Sequence, residues 1–226
     1  MKKYFYLFII LLIGSNAFAN TNHYKSITKI EMDVFRNGEK IGFSNYFFKH
    51  KNDEMEVKNN TEFEFKLLGV NLLSIKSNSV EKYKNNKLIS FNSNTIQNNK
   101  KKYVILKVNE DNNKFIINGS SFKGETKNNK VIGNWWNTKI LSATSQISPL
   151  SGSIKEQTVK LIKKEIVIIN DRSYDAIKFK LKSKNQDLPE DKKLDFDIWL
   201  DPKGGFIIKI SYERMGKWEY ILNNYE

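Results

Sequence analysis

The chain contains no cysteine. Disulfides, zinc–cysteine sites, iron–sulfur clusters and thiol nucleophiles are thereby excluded. Histidine is nearly as scarce, with only His23 and His50. His23 directly follows an N-terminal leader, so a two-histidine metal site or a Ser-His-Asp triad would rest mostly on His50. That residue falls near the tip of a hairpin strand and reads as an ordinary edge residue. No G-x-S-x-G nucleophile elbow occurs, and Ser151-Gly152-Ser153 reads as a turn. Walker A and G-x-G-x-x-G phosphate loops are also missing. Beyond the leader, no apolar run is long enough to span a bilayer. The expected sets of catalytic residues, metal ligands and cofactors are therefore empty.

The leader itself is legible. Met1-Lys2-Lys3 is a positive start, Tyr4 to Ile13 an apolar core, and Ala17-Phe18-Ala19 an A-x-A cleavage site. Residues 1–19 read as a secretory signal peptide and 20–226 as a single all-β periplasmic domain. With no cysteine at the cleavage site, lipoprotein anchoring is excluded. The expected address is the periplasm or the exterior, where ATP- and NAD-dependent chemistry is disfavoured.

The formal net charge is +13, with Lys2 and Lys3 of the leader included. A basic protein suggests nucleic acid or anionic lipid as a partner. Here the excess is mostly lysine, accompanied by abundant asparagine, and both have A/T-rich codons. The lysines are spread along the chain, and the densest run is Asn98-Asn99-Lys100-Lys101-Lys102. The charge therefore reads as composition and solvated faces, and no nucleic-acid partner is expected.

From Lys25 onward the dominant period is two, the signature of half-buried strands. Asn37-Gly38 predicts a tight hairpin turn between Thr28–Arg36 and Lys40–Lys51. Met55–Ile75 reads as one strand with a phase shift at Gly69, suggesting a bulge or bend. Asn85-Asn86 separates the next pair, and Lys101–Val108 and Lys114–Asn118 follow. Near the C-terminus, Phe179 is set against Phe196 and Ile177 against Ile198. The same register sets Lys180 against Asp195 and Lys178 against Asp197, giving one apolar face and one face of ion pairs. Asp201 to Gly205 turns the chain, and Arg214-Met215-Gly216 forms a three-residue loop closing Glu213 opposite Lys217. Val131–Ser153 lacks alternation and reads as an irregular crossover with a short helix near Thr138–Gln146. The expected fold is a single large curled antiparallel sheet, a half-barrel or open barrel of consecutive hairpins.

Asp195, Asp197 and Asp201 form D-x-D-x-x-x-D, but the inferred lysine partners argue against a metal or an acid/base pair. Aromatic residues make up 13% of the chain, most of them at core positions. The exceptions are Trp135 and Trp136, with Asn137, in the irregular segment, and Trp199 on a charged strand face. Trp135, Trp136, Asn137 and Trp199 are the candidate ligand-binding residues, because half-exposed tryptophans serve lipid and sugar sites. Covering an open sheet edge is the alternative use.

The segment Val34-Phe35-Arg36-Asn37-Gly38-Glu39-Lys40-Ile41-Gly42-Phe43, the dipeptide Trp136-Asn137, and Gly152 recur in this order in a known family. So do Asp197-Ile198-Trp199-Leu200-Asp201 and Gly216-Lys217-Trp218-Glu219-Tyr220-Ile221-Leu222. The chain resembles an exported bacterial family of unknown function, similar in outline to periplasmic half-barrels of the lipoprotein-carrier type. The resemblance implies a curved sheet partly closed by a plug segment; the exported address, the long curved strands and the lack of a catalytic constellation then suggest a lipid or other amphipathic small molecule in its concave face. The alternative is a structural or interaction protein whose partner is an envelope protein. A carboxylate-based hydrolase is a third and weaker reading.

Overall fold

The computed structural model describes residues 21–109, 111 and 113–226. The signal-peptide reading of residues 1–19 lies outside these residues. After a 3-10 turn at Thr21–Ser26, eight strands run as a meander: β1 (Lys29–Arg36), β2 (Glu39–Lys51), β3 (Glu54–Leu67), β4 (Val70–Lys84), β5 (Lys87–Gln97), β6 (Lys100–Asn109), β7 (Lys114–Gly119) and β8 (Lys123–Lys127). The crossover holds two short strands, β9 (Val131–Ile132) and β10 (Ser145–Ile147), around a 3-10 turn at Thr138–Leu141. A second meander follows: β11 (Ile154–Ile169), β12 (Arg172–Ser183), β13 (Asp195–Asp201), β14 (Phe206–Glu213) and β15 (Lys217–Tyr225).

These form one 15-stranded sheet in the order β8-β7-β6-β5-β4-β3-β2-β1-β15-β14-β13-β12-β11-β10-β9. It is not closed into a barrel, because β8 and β9 are its edges. The first and last long strands, β1 and β15, pair and join the two meanders. Tyr83 of β4 and Ile198 of β13 belong to one buried cluster. Their strands stand six spacings apart, about 29 Å along a flat sheet. Trp136 nevertheless packs on Tyr83 of β4 while the adjacent Trp135 packs on Phe196 of β13, which only a strongly curled sheet allows.

The turns follow from local chemistry. Asn37-Gly38, Asn85-Asn86, Asn98-Asn99 and Asn170-Asp171 all take positive φ, the geometry of tight turns between right-twisted strands. The helix expected near Thr138–Gln146 is only a 3-10 turn at Thr138–Leu141, with Ser145 and Gln146 in β10, and two further expectations are corrected. The phase shift at Gly69 is a two-residue turn, Leu68-Gly69, so Met55–Ile75 is a hairpin rather than one bent strand. A shift of face along a strand and a reversal of direction leave the same mark on alternation. Second, Phe179 pairs with Ile198 and Lys180 with Asp197, two residues from the expected register. A slip of two preserves the faces, so Lys178–Asp197 (3.0 Å) and Lys180–Asp195 (2.5 Å) form as diagonal ion pairs. The final hairpin matches its expected register, with Glu213 opposite Lys217 and Tyr212 opposite Trp218.

Curling needs irregularity. The β1–β2 ladder slips between Val34 and Phe35, with Val34 opposite Gly42 and Phe35 opposite Lys40. A Cβ at Gly42 would collide with the Glu62 carbonyl oxygen and the Phe63 Cβ on β3. Gly42→Ala is expected to destabilise the protein by about 1–3 kcal/mol through overpacking. A urea midpoint equal to the wild type would show that β2 and β3 separate freely there.

Candidate functional site

The inner face of β4 runs Ile75, Ser77, Ser79, Glu81, Tyr83, all buried. The crossover lies across it. Glu81, 1% exposed, accepts hydrogen bonds from Trp136 Nε1 at 2.8 Å, from Asn134 Nδ2, and from the Tyr83 hydroxyl at 2.5 Å. Asn137 Nδ2 donates onward to Tyr83, while its Oδ1 accepts from Lys139 N and caps the 3-10 turn. Burial pushes the Glu81 carboxyl above its usual range, against the pull of its three donors. Tyr83, buried beside that carboxyl, is pushed well above the ordinary phenol range. The network fixes the crossover to the sheet and divides the space beneath it in two.

On the Tyr83 side, at the mouth of the sheet, opens a cleft of about 770 Å³. Leu88, Val108, Phe115 and Val131 give it an apolar floor, and Lys84, Lys87, Lys130 and Lys139 stand around it. Its volume lies in the range of small-molecule sites, about 300–1,000 Å³. Lys139 is half-buried, and its desolvated ammonium is shifted below the ordinary lysine range; its Nζ donates to Asn86 O at 3.1 Å. An anion placed there would reverse that shift.

On the Ser79 side lies a smaller cavity of about 190 Å³, walled by Ser44, Thr61, Ser77 and Ser79 from the sheet and by Trp135 from the crossover. Ser44 and Thr61 hydrogen-bond each other at 2.7 Å, as do Ser77 and Thr95. These small side chains leave room for the crossover to lie close, and Ser93 donates to Pro149 O at 2.5 Å.

The four expected site residues divide. Trp136 is fully buried, with edge-on ring contacts to Tyr24, Phe48 and Tyr83 at 5.2–5.7 Å. Trp135 is half-buried at the smaller cavity, edge-on to Phe196 at 5.1 Å. Asn137 lines the mouth cleft. Trp199 stands apart. It pairs with Lys178 and Lys209 on the opposite face of the sheet from Ile198, and its Nε1 donates to Glu165 at 2.8 Å. Lys178 and Lys209 lie 4.7 and 5.3 Å from its ring centroid. The structure thus brings Trp136 to Glu81 and Asn137 to the neighbouring Tyr83, sets Trp135 at the smaller cavity, and separates Trp199 from all three. Of the three aspartates, Asp195 and Asp197 are held by lysines, and Asp201 accepts from the Lys203 and Gly204 amides at 3.0 Å, fixing a turn.

Sequence reasoning missed Glu81 and the four lysines. The signal for Glu81 was present: it shares strand parity with Ile75 and Tyr83. The lysines gave none, being four among many.

A family model matches residues 32–223, from β1 to β15. The chain belongs to the family described as a domain of unknown function, DUF6134. The match spans both meanders, the crossover and Glu81. No curated protein matches the chain. Among solved structures it is similar to a beta-barrel-like protein of the domain of unknown function DUF1849 from Brucella abortus. That likeness has a TM-score of 0.60 at 9% sequence identity, covering 88% of this chain and 97% of the other. At this identity it shows a shared fold.

Proposed function

We propose that this is an exported, non-enzymatic binding protein that takes an anionic amphipathic ligand, an acyl chain with an acidic head group, in the mouth cleft. The carrying observation is the pairing of an apolar floor with four lysines in one cleft of adequate volume. Each methylene buried on that floor contributes about 0.8 kcal/mol before the costs of ordering, and the lysines supply charge complementarity. The described walls carry no carboxylate, so they offer no paired carboxylates of the hydrolase kind.

The ligand site is narrower than the concave face as a whole. Trp136, Ile140 and Ile147 of the crossover are fully buried against the sheet, filling its centre as a plug would. This arrangement supports the outline of a carrier-type half-barrel with the ligand at its mouth. The filled centre also favours a second reading, a structural protein of the envelope.

A displacement titration decides between them. A dansyl-labelled fatty acid is expected to bind and to be displaced by laurate or a phospholipid extract. Replacing Lys84, Lys87 and Lys130 together by glutamine is expected to weaken binding at least about tenfold. No displacement by any lipid up to its solubility limit would sink the ligand reading and leave the structural one.

A further inference from the structure

Eleven non-glycine residues among those described take positive φ, and nine of them are Asn or Asp. Those two residue types tolerate the left-handed region because their short polar side chains bond locally. The other two are Leu68 (φ 50°) and Met215 (φ 52°). Both are large, apolar and exposed, at 97% and 77%. A γ-branched or thioether side chain there carries backbone strain and gains no burial within the chain. The chain uses asparagine at four neighbouring turns, so its turn chemistry does not explain leucine here.

The two positions lie at the same end of the sheet. Leu68 is at the tip of β3–β4 and Met215 at the tip of β14–β15. Arg36, the last residue of β1, joins them: its Nη2 donates to Met215 O, and its guanidinium carbon stands 3.5 Å from the Phe65 ring centroid on β3. Leu67 and Val70 flank Leu68 and are themselves exposed, at 55% and 60%. Arg214 adds an exposed cation beside Met215, its Nη2 donating to Glu190 O and Lys193 O, while Lys66, beside Leu67, is ion-paired to Glu64 at 3.3 Å.

We infer that this end of the sheet is a membrane-contacting tip, in which Leu68 and Met215, with Leu67 and Val70, enter the interfacial layer of a phospholipid bilayer while Arg36 and Arg214 meet lipid phosphates. The apolar side chains sit on protruding turns, and a bilayer accepts such side chains without a matching pocket. The mouth cleft lies at the opposite end, by the Asn85-Asn86 turn, so this inference does not depend on the ligand reading.

The test is co-sedimentation of the protein with phosphatidylethanolamine–phosphatidylglycerol vesicles, with thermal melting run alongside. Wild-type protein is expected to pellet with vesicles. Leu68→Asn is expected to lower the apparent partition coefficient at least about tenfold, from the loss of one leucine's burial. Its melting temperature is expected to hold or rise, because Asn suits the turn. Met215→Asn is expected to act in the same direction. The glutamine variant of Lys84, Lys87 and Lys130 is expected to bind vesicles as the wild type does. The proposal is overturned if wild-type protein stays in the supernatant at millimolar lipid, if Leu68→Asn pellets equally well, or if the mouth variant alone abolishes pelleting. A concentration-dependent dimer lost in Leu68→Asn, without vesicle binding, would assign the tip to self-association and also overturn it.

Discussion

Trp136→Ala is expected to be the most destabilising single change in the crossover, at about 3–5 kcal/mol. The indole is 1% exposed and touches Tyr24, Phe48 and Tyr83 at once, so the N-terminal turn, β2 and β4 all pack on it. Its removal leaves a cavity that rigid strands on three sides cannot close. It also removes the Nε1 donor from Glu81, and a buried acceptor stripped of a partner costs about 1–3 kcal/mol. Against a total stability of about 5–15 kcal/mol for a domain, the crossover would detach or the chain unfold. Equilibrium urea unfolding measures it. Trp136→Phe separates the two contributions, since it keeps most of the ring and loses only the donor. A loss below about 1 kcal/mol for the alanine variant would contradict the packing described for this indole.

The second large effect is in pH. Glu81 has a folded pKa above its unfolded value, about 4.3, because burial disfavours its charge. The folded state therefore holds a proton that the unfolded chain releases. That contribution is fully present below the unfolded pKa and is lost as pH rises through the folded pKa. Asp197 and Glu219 act in the opposite sense. Their lysine partners outweigh burial and hold them below the ordinary range, so their contribution is present above the unfolded pKa and lost in acid. Stability is expected to fall on both sides of a mildly acidic maximum. Glu81→Gln keeps the shape and an acceptor for Trp136 and Asn134, and its amide can donate to the Tyr83 hydroxyl. It is expected to remove the alkaline fall, leave the acid fall, and melt above the wild type at neutral pH. Melting curves from acid to pH 9 check this. An unchanged alkaline limb in the variant would show that Glu81 is not its source.

The hairpins were largely legible because their determinants are local. Asn37-Gly38 closes a turn by its own φ preference, and the Glu213–Lys217 register follows from a three-residue loop. Register between Phe179 and Ile198 was less legible, because a long loop connects β12 and β13 and only packing selects among slips of two. Leu68-Gly69 was misread because a leucine hides a turn that asparagine marks elsewhere. The irregular context of Trp135, Trp136 and Asn137 singles them out in the sequence as candidates, whereas the places of Glu81 and Lys139 beside them appear only in the structure. Their significance depends on β4 and the crossover meeting in space, more than fifty residues apart in sequence.

The sequence by itself determined the all-β class, the meander of hairpins and the place of the crossover, because strand period and turn residues act over a few neighbouring positions. Only the tertiary structure decided that the crossover fills the centre of the curled sheet, that Trp199 faces away from Trp135 and Trp136, and that the buried Glu81 carboxyl group divides the interior. Those outcomes depend on which side chains share a volume, and shared volume is set by the curl of the whole sheet rather than by any local preference.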